Sequence, residues 1–134
     1  MIVVDTSLLS LVFRRPRAIP MRAAVMLFEQ LVVARQAIAI PSIVLQELLS
    51  GVRDEDAVGK LEAALGGYAL LLPARDTHLL AAQLQRRCAR KGVAAATVDC
   101  LIAAHAIETE ASLFTVDDDF GRIAMHSDLQ LLSL

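Results

Sequence analysis

Four acids stand where apolar segments begin or end. Asp5 follows Ile2-Val3-Val4, and Asp117 follows Leu113-Phe114-Thr115-Val116. Glu47 lies in Val44-Leu45-Gln46-Glu47-Leu48-Leu49, and Asp99 precedes the apolar run Cys100 to Ile107. Singly, each has an ordinary explanation. A lone Glu on a helix is usually solvated, an Asp in a first turn suits the helix dipole, and Asp117-Asp118-Asp119 reads as a turn. The combination is stronger than its members. If the apolar segments are strands and helices of one sheet, all four acids gather near its carboxyl edge, where open α/β sheets bind ligands. Four carboxylates at close range cannot all stay ionised without a counter-charge. Oxygen donors with no His or Cys companions select Mg²⁺ or Mn²⁺ over zinc. Such ions activate water and stabilise in-line phosphoryl displacement, so the pattern points to phosphodiester hydrolysis.

The elements that must position these acids follow from apolar periodicity. Ile2 to Val4 is a short buried strand. Ser7 can cap a helix through Leu8, Leu9, Leu11, Val12 and Phe13, which Arg14-Arg15-Pro16 stops. Helices are expected over 21–35, over 43–50 between Ser42 and Gly51, over 54–65 before Gly66-Gly67, over 76–91 before Gly92, and over 98–109 after Thr97. Strands are expected over 37–40, ended by Pro41, and over 68–73, 113–116 and 129–134. Strands alternate with helices, and each strand is a short continuous apolar run. That pattern predicts an α/β fold: a three-layer α/β/α domain over residues 1–134 with a mostly parallel sheet of four or five strands.

Composition bounds the chemistry. The chain has 134 residues, enough for one domain with a real core. It is 56% hydrophobic with no Trp, so that core must be aliphatic. A formal net charge of −2 gives no global basic field, so any polyanion contact needs a local patch. Cys88 and Cys100 match no metal or redox spacing and read as small apolar fillers in a reducing compartment. No leader or membrane-length apolar run is apparent, so a soluble cytoplasmic protein is expected.

Other acidic-pocket chemistries lack their residues. Asp5-Thr6-Ser7 has no second Asp two places on, as an Asp-x-Asp phosphatase requires. A receiver domain needs a Lys at a late strand end, and neither Lys60 nor Lys91 is there. No Gly-rich nucleotide loop and no His-Glu-x-x-His is present. His78, His105 and His126 share no spacing, and His105 reads as a satisfied core histidine.

With these residues in place, the chain resembles the PIN-domain ribonucleases, and within them the VapC-type toxins of toxin–antitoxin pairs. Four blocks carry the resemblance over essentially the full length. They are Asp5-Thr6-Ser7, Glu47-Leu48-Leu49-Ser50-Gly51, Asp99-Cys100-Leu101-Ile102-Ala103-Ala104-His105-Ala106, and Thr115-Val116-Asp117-Asp118-Asp119-Phe120. The third is the most specific. One departure is the loop after Gly92, where Val93-Ala94-Ala95 replaces the Gly-x-Pro-Ile of many relatives. The resemblance implies an Mg²⁺- or Mn²⁺-dependent endoribonuclease that forms homodimers or higher assemblies and is held inactive by a small VapB-like antitoxin. It also implies that Asp5, Glu47, Asp99 and Asp117 are catalytic and bind the metal directly or through water. Asp119 would support them, and Thr6, Ser7 and Thr115 would orient ligands or water.

Basic residues supply two candidate RNA-binding groups. One is Arg14, Arg15 and Arg17; the other is Arg86, Arg87, Arg90 and Lys91. Either could hold phosphates beside an acidic centre, or be a solvated helix face. The helices over 21–35 and 42–51 carry more aliphatic residues than one core face needs, which predicts a groove or dimer interface. Two rival readings remain: a catalytically silent PIN scaffold that binds RNA or a protein partner, and a DNA-directed nuclease of related fold.

Overall fold

The computed structural model describes residues 1–13 and 19–133. Arg14, Arg15 and Arg17, named above as candidate RNA contacts, lie outside the described residues.

β1 (Ile2–Val4) is fully buried, as three apolar residues with two β-branched valines at its end should be. It leads into α1 (Thr6–Val12), then α2 (Ile19–Val33), β2 (Ile38–Pro41), α3 (Ser42–Ser50) and α4 (Glu55–Leu65). Next come β3 (Ala69–Leu71), α5 (Arg75–Arg90), α6 (Thr97–Glu108), β4 (Ser112–Phe114), α7 (Asp119–Met125) and β5 (Gln130–Leu131). The five strands form one sheet in the order β3-β2-β1-β4-β5, and every pairing is parallel. β1 sits at the centre, in register with Ile38 on one side and Ser112 on the other. Strand order reverses between β1 and β4, the topological switch point at which such sheets open a crevice beyond their carboxyl ends.

Most helix contacts fall into two groups, α1 with α2 and α3 and α3 with α4 on one hand, α5 with α6 and α6 with α7 on the other, with α3 also touching α6. Right-handed crossovers require this division, because the chain winds one way from β1 to β3 and the other way from β4 to β5. The core between them is aliphatic. Val3, Val4, Leu8, Leu9, Val44, Leu113 and Phe114 are wholly buried.

Several local expectations are corrected. Asp5, not Ser7, caps α1: its carboxylate accepts from the Leu8 amide, and a carboxylate at a helix start also meets the positive end of the dipole. α2 begins at Ile19, two residues earlier than its apolar spacing suggests. α3 has Pro41 at its cap position with no side-chain bond, so Ser42 is its first residue rather than its cap. Gly51 closes α3 in a right-handed conformation (φ −81°), so its place there does not depend on being glycine. Only Gly92 among the glycines uses left-handed freedom (φ 78°), turning the chain from α5 toward α6. The last strand is two residues rather than six. β3 is an edge strand with Ala69 and Leu70 exposed, not a covered one.

A whole element was missed. α7 begins at the last residue of the acidic triplet, and the pair Phe120 and Ile123, three apart, was its only buried apolar signal. Between α5 and α6, Gln85 donates to the Ala95 carbonyl at 3.0 Å and to the Thr97 hydroxyl at 3.1 Å. Thr77 donates to Glu108 at 2.8 Å from the other end of the pair. His105 is buried in α6 as expected, but its Nε2 has no partner among the described residues.

Candidate metal centre

The carboxyl ends of β1 and β4 are stitched together by side-chain hydroxyls. Thr115, one residue past β4, donates to Asp5 Oδ2 at 2.6 Å. Ser7 donates to both Asp5 oxygens, at 2.9 and 2.8 Å. Its Oγ in turn accepts from the Val116 amide at 3.2 Å. The Asp117 amide donates to Thr115 Oγ1 at 3.0 Å, and the Asp119 amide to Asp117 Oδ1 at 2.9 Å. One chain of hydrogen bonds thus runs from the start of α1 to the start of α7. Every backbone turn in it is fixed by a hydroxyl or a carboxylate.

Above this frame stand the acids. Asp99 comes from the first turn of α6, Asp117 from the loop after β4, and Asp119 from the first turn of α7. One carboxylate oxygen from each lies within 4.8 Å of the other two. Like charges 4 Å apart repel by about 4 kcal/mol at an effective dielectric near 20, so three ionised groups at this spacing are relieved by a cation or by taking up a proton. Asp99 shows the strain electrostatically. Its carboxyl is pushed up to about 6, first by burial and then by Asp117, Asp119, Asp5 and Glu47 in that order.

Asp5 and Glu47 are neighbours of this cluster rather than members of it. Asp5 is 2% exposed, and burial pushes its carboxyl above the ordinary range against the pull of Thr115, Leu8 and Ser7. With both oxygens already accepting from protein donors, it anchors the frame and can spare few lone pairs. Glu47 is exposed, past the first turn of α3, and accepts from the Thr6 hydroxyl at 2.6 Å. Asp119, expected only as a supporting acid, is the one brought into the cluster. Its Oδ1 also meets the Arg122 guanidinium at 2.6 Å, the only ion pair among the described residues. Nothing in the spacing of acids had drawn attention to Arg122; its position three residues on from Asp119 in a helix is the signal that could have.

The arginines of α5 divide. Arg87 donates to the His126 carbonyl at 3.3 Å and so ties α5 to the end of α7, a structural task rather than a free phosphate contact. Arg86 and Arg90 are exposed. Both lie in the half of α5 that Gln85 joins to the start of α6, where Asp99 stands. Cys88 and Cys100 are buried and free. Burial pushes the Cys100 thiol up to about 11, which makes it an inert filler.

A family model described as the PIN domain matches residues 2–125. The chain belongs to the PIN domain family. Solved structures agree on the fold of this PIN domain. It superposes on a chain of VapBC2 from Rickettsia felis, solved bound to a DNA fragment from the promoter, with a TM-score of 0.78 and 26% identity over 100% of this chain and 99% of that one. FitAcB from Neisseria gonorrhoeae gives a TM-score of 0.76 at 19% identity, over 99% and 97% of the two chains. VapBC-1 from nontypeable Haemophilus influenzae gives 0.73 at 23%, over 99% and 98%. Among the described residues, no helix of this PIN domain is long and apolar enough to cross a membrane.

Proposed function

We propose that this PIN domain is a divalent-metal-dependent endoribonuclease and the toxin of a type II toxin–antitoxin pair, acting in the cytoplasm. The observation that carries the reading is the cluster of Asp99, Asp117 and Asp119, three oxygen donors within 4.8 Å of one another. The donor set fits Mg²⁺ or Mn²⁺, hard ions that take carboxylate oxygens and keep several waters. Asp99, Asp117 and Asp119 would hold the ion, with Asp5 and Glu47 reaching it through water or a remaining lone pair. Bound there, the ion supplies Lewis acidity for phosphodiester hydrolysis. The residues supply everything else. Thr115 and Ser7 fix Asp5, Thr6 aims Glu47, and Arg122 restrains Asp119.

Arg86 and Arg90, both exposed, would hold RNA phosphates that the acids alone would repel. Partner binding is supported by relatives solved as VapBC and FitAB complexes, and by the exposed Met26, Val32 and Val33 of α2. That apolar face suits an antitoxin segment or a second subunit.

Purified protein is expected to cleave RNA, not DNA, when Mn²⁺ is added, and Asp99→Asn is expected to abolish the cleavage while leaving the fold unchanged. Cleavage by Asp99→Asn at the wild-type rate would show the reading to be wrong. The absence of Mn²⁺ uptake in calorimetry would favour a silent scaffold instead.

A further inference from the structure

The loop after β4 does more than carry Asp117. From Asp117 a groove of about 360 Å³ runs along the carboxyl edge of the sheet toward β5, floored by Met21, Val116, Leu131 and Leu132. Its volume is within the range of small-ligand sites, and Asp117 and Thr115 belong both to its wall and to the carboxylate site. The groove thus borders the cluster at Asp117.

Asp118 lines that slot. Its two neighbours in sequence have partners: Asp117 accepts from the Asp119 amide, and Asp119 from Arg122. Asp118 stands at the cap position of α7 in a helical conformation that leaves its side chain without a capping bond. It is exposed and has no partner among the described residues. An unclaimed carboxylate beside an apolar floor suits a flat, largely neutral group that offers hydrogen-bond donors at its edge.

We propose that the groove holds a guanine base of single-stranded RNA beside the phosphate that lies over the carboxylate cluster, and that Asp118 reads the base. This rests on the ribonuclease reading above. Guanine carries two adjacent N–H donors, N1–H and the N2 amino group, on its Watson–Crick edge, and a carboxylate accepts both at once. Adenine and cytosine place an acceptor beside their amino group, and uracil has one N–H between two carbonyls, so each turns an oxygen or nitrogen lone pair toward Asp118. The apolar floor takes the face of the ring. The groove selects one base at the cut and leaves the chemistry to the cluster.

Two variants test this without touching the cluster. Asp118→Asn removes an acceptor and adds a donor. Gly121→Leu fills the groove that Gly121 lines, and its Cβ would meet nothing within 4 Å. The substrates are short single-stranded RNAs differing at one nucleotide beside the cut. Wild type is expected to prefer guanine about tenfold, the usual size of a bidentate contact. Asp118→Asn should erase most of that preference, with Mn²⁺ affinity in calorimetry unchanged. Gly121→Leu should weaken RNA binding with an unaltered circular dichroism spectrum. If wild type and Asp118→Asn cleave RNA with the same base preference, the subsite is overturned and the ribonuclease reading survives. If wild type does not cleave RNA with Mn²⁺, both are overturned together.

Discussion

Thr115 donates its hydroxyl proton to Asp5 across 2.6 Å, joining residues 110 positions apart. The bond ties the central strand to its neighbour at the edge where the acids meet, and it favours the ionised form of a carboxyl that burial pushes upward. Thr115→Val keeps the shape and deletes the donor. Loss of a hydrogen bond to a buried charged group costs about 1–3 kcal/mol, measurable as a lower urea midpoint at pH 7. Partners of this kind also orient metal ligands, so Mn²⁺ affinity should fall by about 10–100-fold in the same protein.

Asp99 opposes folding at neutral pH. Its carboxyl has a folded value of about 6 against an ordinary 3.8. A raised acid contributes stability that is fully present below 3.8 and is lost as pH rises through 6. In the presence of a chelator, Asp99→Asn should therefore melt higher than wild type at pH 7.5 and no higher at pH 3.5. The substitution expected to abolish cleavage is thus also expected to stabilise the metal-free protein.

Metal binding should release protons. Asp99 must be ionised to coordinate, so Mn²⁺ affinity should weaken as pH falls below about 6. Calorimetry at pH 5.5 in two buffers of different ionisation enthalpy should give different apparent heats, and the difference should shrink at pH 7.5. Asp99→Asn should show no such buffer dependence.

Arg122 would compete with a bound ion for Asp119. Both side chains of the pair are more than half exposed, and such pairs add little stability, about 0–1 kcal/mol. Arg122→Gln should leave the melting temperature nearly unchanged and tighten Mn²⁺ binding several-fold. A fall in Mn²⁺ affinity would mean that Arg122 orients Asp119 for the ion rather than restraining it.

His105 is a polar atom the core does not need. Its Nε2 is buried without a partner among the described residues, and burial lowers its affinity for a proton, with Glu108 opposing and His78 assisting. A histidine held neutral in this way contributes stability present above its ordinary 6.5 and lost as pH falls toward its lower folded value. His105→Leu, of similar volume, should gain about 1 kcal/mol and melt with less sensitivity to acid below pH 6.

The fold was legible where apolar runs were long or bounded by breakers. The run Val98 to Ile107 and the stop at Gly92 were plain, and the alternation of strands and helices gave a parallel sheet. The short elements were not. α7 hid in three aspartates that read as a turn, the last of them its own first residue, and its buried apolar marks, Phe120 and Ile123, are too few to set a period. β5 was drawn too long because four of the six residues from Leu129 to Leu134 are leucines, whereas pairing with β4 reaches only Gln130 and Leu131. At the site, the identity of the acids was readable but their grouping was not. Spacing in sequence could place Asp5 and Asp117 at one sheet edge. It could not show that hydroxyls would occupy both oxygens of Asp5, or that α7 would swing Asp119 into the cluster.

The place of β1 in the sheet sets the timing of assembly. Both of its hydrogen-bonded neighbours come later in the chain, and β4 lies more than a hundred residues on. Closing a loop of that length is an entropic cost met before any contact across it is gained. Asp117 and Asp119 join Asp99 only once that closure is made. A growing or partly folded chain therefore carries the acids but not the centre. The cluster of acids forms late and all at once, after the helices that precede β4 have been made.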